Sequence, residues 1–372
     1  MNLSYWEYKT WLSNIDYTVV GSGIVGLNCA LALNKKYPHA KILVLEKGVL
    51  PQGASTKNAG FACFGSISEV LADLNNHTEE EVVQLTRKRW EGIHLLRKTL
   101  GDDAIDYQQH GGHELFLESK ETLYNNCLNN LDRVNKLFRQ IFNSDAFKPQ
   151  GNSFQFKNIK EQYITHTLEA QIDTGKMMSA LLQMCRNKGI RILNAIAVEE
   201  FQEIENSVSV KTSAFEFSTR KLLIATNGFA SQLIGEKVHP ARAQVVITKP
   251  IPKLQIKGTF HLDEGYYYFR NIDNRILFGG GRNLDFKSEQ TYEHGETQLI
   301  QSQLKKMLKE TILPNTSFEI EHKWSGIMGV GREKKPIVKQ LSNHVFCGVR
   351  LGGMGVAIGS HVGNELAELS SL

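Results

Sequence analysis

The chain has 372 residues, 41% of them hydrophobic and 22% charged, with a formal net charge of +4. This length suggests two domains, and the composition is ordinary for a soluble globular protein. The small charge and scattered Lys and Arg make no case for a nucleic-acid partner, and no run reaches the roughly 18 apolar residues of a membrane span.

The opening "MNLSYWEYKTWLSN" lacks the basic and continuously apolar regions of a signal peptide, and Trp6 and Trp11 are expected to pin it to the folded body. The five cysteines, Cys29, Cys63, Cys127, Cys185 and Cys347, are odd in number and widely spaced, with no CxxC and no zinc-site spacing. Reduced thiols, a cytoplasmic location and no metal are the expectation.

"YTVV" (17–20) reads as a buried strand, "IVGLNCALALNKKY" (24–37) as a helix with Lys35 and Lys36 in its last turn, and "KILVLEKG" (41–48) as a second strand. This is the βαβ unit of a parallel sheet. Its glycines then have separate reasons. Gly21 permits the tight turn, Gly23 lets a pyrophosphate approach bare backbone, and Gly26 lets the helix pack closely on the strand. The helix N-terminus offers free N–H groups to the phosphates. Glu46 stands 20 residues after Gly26, where a carboxylate accepts from a ribose 2′-OH and disfavours a 2′-phosphate. The unit predicts dinucleotide binding but does not separate FAD from NAD.

Next comes "KGVLPQGASTKNAGFACFGS" (47–66), small-residue loop where an NAD-binding domain usually continues with a helix and strand. "TEEEVVQLTRKRWEGIHLLRKTLG" (78–101) has helical spacing and a Gly stop. In "QHGGHELFLES" (109–119) a Gly-Gly turn between strands is favoured over a histidine metal pair. "RAQVVITKPI" (242–251), "GYYYFRNID" (265–273) and "RILFGGGR" (275–282) read as strands. Along the second of these, Tyr267 and Phe269 share one face, and Tyr266, Tyr268 and Arg270 the other. "GREKKP" (331–336) reads as a solvated loop and "VAIGSHVGNELAEL" (356–369) as a helix.

Four segments in order resemble the D-amino-acid oxidase family, which includes glycine oxidase and sarcosine oxidase. They are "GAS..NAG" (53–60), the "ILNAIAVEEFQEIENSVSVKT" hairpin (192–212), "RKLLIATNGFASQLIG" (220–235) and "GVRLGGMGVAIGSHVGNELAEL" (348–369). The resemblance implies an α/β fold: a Rossmann-like, glutathione-reductase-type FAD-binding domain with a second, discontinuous mixed-sheet substrate domain. The borders are drawn at 1–75, 162–234 and 325–372 for the first and 76–161 and 235–324 for the second.

By the same resemblance, Gly21, Gly23, Ile24, Val25 and Gly26 would hold the pyrophosphate, and Glu46 and Lys47 the adenosine ribose. Ser55, Asn58, Ala59, Gly60 and Phe61 would line the pyrophosphate and isoalloxazine edges, and the Val198 backbone would meet the adenine. Thr226, Asn227 and Gly228 would close the ribityl side, with Gly353, Met354, Gly355 and Val356 at the pyrimidine end. There the helix N-terminus would support charge on the reduced flavin. Lys57 and Asn58 occupy the region where some relatives carry a flavin-attaching histidine, and no cysteine stands near Met328, so noncovalent FAD is implied. Cys63 and Cys347 read as buried packing residues.

The resemblance also implies an activity: oxidation of a C–N bond in a small amine or amino acid, with hydride transfer to flavin N5. Oxygen or a quinone would reoxidise the flavin, with Lys57 or Lys335 as a lysine that could favour oxygen. Tyr267 aligns with a substrate-facing tyrosine. Met328 or Gly329 stands where amino-acid oxidases carry the arginine of a "GLRP" segment, which pairs with the substrate carboxylate. Arg350 matches a second arginine close to the flavin; Arg270 and Arg332 are further candidates. The expected catalytic set is Tyr267, Arg270 and Arg350. The alternatives are a 2-hydroxy-acid oxidase or dehydrogenase using a base such as His261, an NAD-dependent dehydrogenase, and a non-catalytic flavin-binding module.

Overall fold

A computed structural model describes residues 2–371. Ile15–Val20 and Ile42–Leu45 are almost wholly buried, as strands covered on both faces must be. They pair in parallel, Val20 opposite Leu45, at the centre of a sheet. Its order is Ile337–Gln340, Val345–Val349, Glu216–Ile224, Ile15–Val20, Ile42–Leu45, Arg191–Leu193. The hairpin Val198–Ile204/Ser207–Thr212 folds onto Glu216–Ile224. Ile24–Lys36 and the C-terminal helix Gly355–Leu369 lie against one another. A Cβ on Gly363 would stand 2.7 Å from the Val25 carbonyl oxygen, so the close crossing needs glycine. This crossing brings both helix N-termini to one edge of the sheet.

The second sheet runs Ile320–Val330, His239–Thr248, Arg275–Gly280, Tyr267–Ile272, Thr259–Leu262, Gly112–Leu115, Gln162–His166, Phe147–Gly151. One face packs an aromatic core, Phe260, Phe269 and Phe278 with Tyr267, against Leu304 and Leu308. The mixed architecture is the α/β fold expected, with a Rossmann-like unit beside a second sheet. Gln162–His166 pairs within the second sheet although the border at 162 puts it in the first domain, and the border at 325 divides the strand Ile320–Val330.

Two local expectations are corrected. Trp6 and Trp11 are 70% and 43% exposed; Leu12 is the buried residue of that segment, because the helical repeat turns only this position inward. The Gly-Gly pair is not a hairpin turn. Gly112 opens a strand against which Glu169 packs, and His113 Nδ1 lies 2.8 Å from Thr165 Oγ1. Among the described residues no helix is long and apolar enough to cross a membrane.

Candidate active site

A cavity of about 780 Å³ runs between the two sheets, within the usual range of ligand sites. It is lined by every predicted cofactor residue except Gly26 and Gly60, which shape it from behind. Gly21 adopts φ +105°, open only to glycine without strain, and a Cβ there would stand 2.9 Å from the Ala225 carbonyl oxygen. A Cβ on Gly26 would be 1.9 Å from the Gly21 carbonyl oxygen, which closes the helix onto the turn. The Ile24 N–H donates to Ser55 Oγ at 2.9 Å, so the second loop caps the first helix. Glu46 is buried and accepts from the Ser22 N–H and hydroxyl and from the Gly48 N–H, which joins the glycine turn to the next strand. Lys47 lies over the Phe229 ring at 5.9 Å, and Val198 lines the same end.

Further along, Asn58 Oδ1 accepts from the Gly60 N–H and the Thr174 hydroxyl, both at 2.8 Å, and holds the small-residue loop. Asn227 Oδ1 accepts from the Leu351 N–H at 3.1 Å, tying two cavity-lining loops together. Thr226 Oγ1 is buried without a hydrogen-bond partner and its residue lines the cavity. Cys63 Sγ lies 3.5 Å from Met354 Sδ; burial raises its thiol well above the ordinary value.

The segment after Phe61 is held by buried polar side chains. Glu169 accepts from the Phe64 and Gly65 N–H groups, Glu114 from the Ser68 N–H and hydroxyl, and Arg89 donates to the Phe64 carbonyl. Burial raises Glu169 to about 8 and Glu114 to about 7. This framework carries Glu69 into the cavity wall, where burial opposes its charge but His261, Lys334 and the Ser66 N–H outweigh that and lower its pKa.

On the substrate side, Tyr268 and His261 face each other across adjacent strands. Both present their rings edge-on to Phe61, at 5.8 and 5.2 Å. His261 Nε2 is buried without a partner, and burial lowers its pKa although Glu69 acts in the opposite sense.

The three predicted catalytic residues lie elsewhere. Tyr267 faces the other side of the sheet, 6.2 Å from Phe278, because side chains alternate and the aromatic core claims its parity. Arg270 shares the parity of Tyr268 but stands behind the loop, its Nη1 3.5 Å from the Gly60 carbonyl oxygen; desolvation lowers it to about 10. Arg350 has φ +64° and turns away from the cavity, its side chain only 12% exposed, donating to the Lys335 carbonyl and Glu333. None of the three lines the cavity. Arg332 is absent from its wall too, whereas Met328, Lys57 and Lys334 belong to it, Lys334 pairing with Asp73 at 2.6 Å.

Sequence reasoning missed Tyr266, Tyr268, Glu69 and Arg282. A signal existed for Tyr268: it pairs with Gly279, and a Cβ there would stand 2.7 Å from its ring. A glycine run facing an aromatic marks where that ring lies down.

The profile of the DAO family, FAD dependent oxidoreductase, matches residues 16–369. The chain belongs to this family of FAD-dependent oxidoreductases. Across 96% of its length and 83% of the relative's, it is 23% identical to the probable oxidoreductase OrdL of Haemophilus influenzae. It is 22% identical, over 95% of its own length and 83% of the other's, to the gamma-glutamylputrescine oxidoreductase of Escherichia coli. The glycine oxidase structure from Geobacillus kaustophilus superposes with a TM-score of 0.76 at 17% identity, covering 96% of this chain and 94% of that one. Like the rest of its family, this DAO enzyme uses FAD, and its residues fit the group. Bare backbone at Gly21 and Gly23, two helix N-termini and the orphan Thr226 hydroxyl make a cradle for a pyrophosphate and its flanking sugars.

Proposed function

We propose that this DAO enzyme oxidises the C–N bond of a small amine or amino acid, using noncovalent FAD. The observation that carries the reading is the aromatic roof. Phe61 from the cofactor loop meets Tyr268 and His261 from the second sheet, and all three line the cavity, where they would hold a small substrate against the flavin. The names of gamma-glutamylputrescine oxidoreductase and glycine oxidase, an amine and an amino-acid enzyme, support the substrate class.

When bound, FAD supplies a hydride acceptor at N5, and the imine left behind is hydrolysed by water. The chain's own contribution is positional and electrostatic. The 53–61 loop and the residues at 226–228 and 353–356 would hold the cofactor, with Gly21, Gly23 and Ile24 at its pyrophosphate and Glu46, Lys47 and Val198 at its adenosine end. The Gly355–Leu369 helix opens its N-terminus onto the cavity and would steady negative charge developing there. Tyr268 and His261 would orient the substrate.

A second reading is favoured by His261 Nε2. A buried, unpartnered imidazole nitrogen kept neutral could accept the hydroxyl proton of a 2-hydroxy acid. Product analysis separates the two. Ammonia or a primary amine released in step with substrate loss supports C–N oxidation; a 2-oxo acid formed from a hydroxy acid without nitrogen release supports the alternative. Acid precipitation that leaves the yellow colour in the supernatant confirms noncovalent FAD, and colour in the pellet contradicts it.

A further inference from the structure

We propose that Arg282 is the carboxylate anchor of this enzyme, so that its substrate is an amino acid rather than a simple amine. The inference rests on the C–N oxidation reading and adds the substrate's second functional group. Its starting point is a vacancy in the chemistry of the wall. By the family resemblance, Met328 or Gly329 stands where relatives carry the carboxylate-binding arginine, and Met328, which lines the cavity, offers only a thioether.

Arg282 lines the same cavity from another element. The Arg275–Gly280 strand ends where Gly281, at φ +80°, turns the chain and donates its N–H to the Tyr266 carbonyl at 2.9 Å. The sheet register relates this turn to the strand that carries Met328. Gly280 pairs with Gln244, which pairs with Ser325, and Met328 stands three residues further along that last strand, opposite Ala241. Arg282, just past the end of one strand, and Met328, on another, thus line the same cavity from one sheet.

The guanidinium is held but unspent. It lies 4.8 Å from the centre of the Phe286 ring, a stacking that leaves the N–H edge available. Arg242 is paired with Glu289, Arg275 with Glu321, Arg97 with Asp102 and Arg350 with Glu333. Among the described residues Arg282 has no carboxylate within 4.0 Å; it is half-buried, and desolvation lowers its pKa although Tyr266 and Glu289, the latter bonded to Arg242, act in the opposite sense. Leaving a guanidinium partly desolvated and unpaired is costly, and a bidentate carboxylate relieves that cost with two parallel bonds. The other cavity cations are less suited. Lys334 is engaged by Asp73, and Lys57 belongs to the cofactor loop, its main chain held by the Trp324 indole.

The test uses the FAD-loaded protein and benzoate, a flat carboxylate with no oxidisable C–H next to nitrogen. Its affinity is read from the perturbed flavin spectrum and independently from the rise in Tm. Wild type should bind benzoate at millimolar concentrations or below. Arg282→Met should keep its flavin and weaken benzoate at least ~10-fold, with Arg282→Lys in between. For any amino acid oxidised, R282M should raise KM with kcat nearly unchanged, and should leave the KM of the decarboxylated amine where it was. Benzoate affinities of wild type and R282M within about threefold would overturn the proposal, as would a wild type that ignores benzoate. If no amine or amino acid reduces the flavin, the C–N reading fails, and the benzoate titration still decides the role of Arg282.

Discussion

The Ile24 amide donates to the Ser55 hydroxyl at 2.9 Å, across 31 residues of chain. Through this bond the small-residue loop is fastened to the N-terminus of the first helix, so the two main cofactor segments are set as one body. Ser55→Ala should therefore cost about 1 kcal/mol, the usual loss for a cap hydroxyl, and weaken FAD retention. Thermal unfolding and flavin content after gel filtration check this; an unchanged Tm with full flavin would show that the contact contributes nothing.

Gly26 is the stricter test of the turn. With the Gly21 carbonyl oxygen 1.9 Å from any added Cβ, Gly26→Ala must push the helix off the strand. Overpacking of this kind costs about 1–3 kcal/mol, and the displaced turn should no longer hold the pyrophosphate. The expected product is a folded, colourless protein of lower Tm. Retention of stoichiometric FAD would refute the packing argument.

Tyr267 and Tyr268 should part company in kinetics. Tyr267→Phe leaves an aromatic in the core of the second sheet and should change steady-state constants by less than about twofold. Tyr268→Phe removes a hydroxyl from the cavity side and should raise KM or lower kcat by at least ~3-fold while Tm barely moves. The reverse pattern would place substrate on the other face of the strand.

Glu169 gives stability a pH dependence with a definite sign. Burial raises its pKa from 4.5 to about 8, so the folded state keeps a proton that the unfolded chain has lost. This contribution is complete below the ordinary carboxylate range and is lost as pH rises towards 8. Glu169→Gln should flatten that decline by about 1 kcal/mol or more, read from denaturant midpoints at pH 5 and pH 8. Equal slopes for wild type and E169Q would mean that the carboxyl is ionised throughout.

What the sequence made legible follows the range of the forces involved. The glycine turn, the following helix and the 53–61 loop impose local backbone requirements, and their lining of one cavity agrees with the short-range reading. Alternation along "GYYYFR" told which side chains travel together, but the inward parity was decided by Phe260 and Phe278 on neighbouring strands. Arg350 sits in a promising stretch, yet its positive φ and the 331–335 loop hold it away from the cavity. Arg282 lies beyond a strand end, where periodicity stops and only the sheet register reveals a neighbour. The domain borders were obscure because Gln162–His166 and Ile320–Val330 join the second sheet through partners distant in sequence.

The most direct measurement of the central claim is anaerobic titration of the purified yellow protein, following the visible flavin band. Small amines, amino acids and 2-hydroxy acids are added in turn. The account predicts that at least one amine or amino acid bleaches the flavin stoichiometrically and that no 2-hydroxy acid does. Bleaching by a hydroxy acid alone, or by none of the three classes, would contradict it.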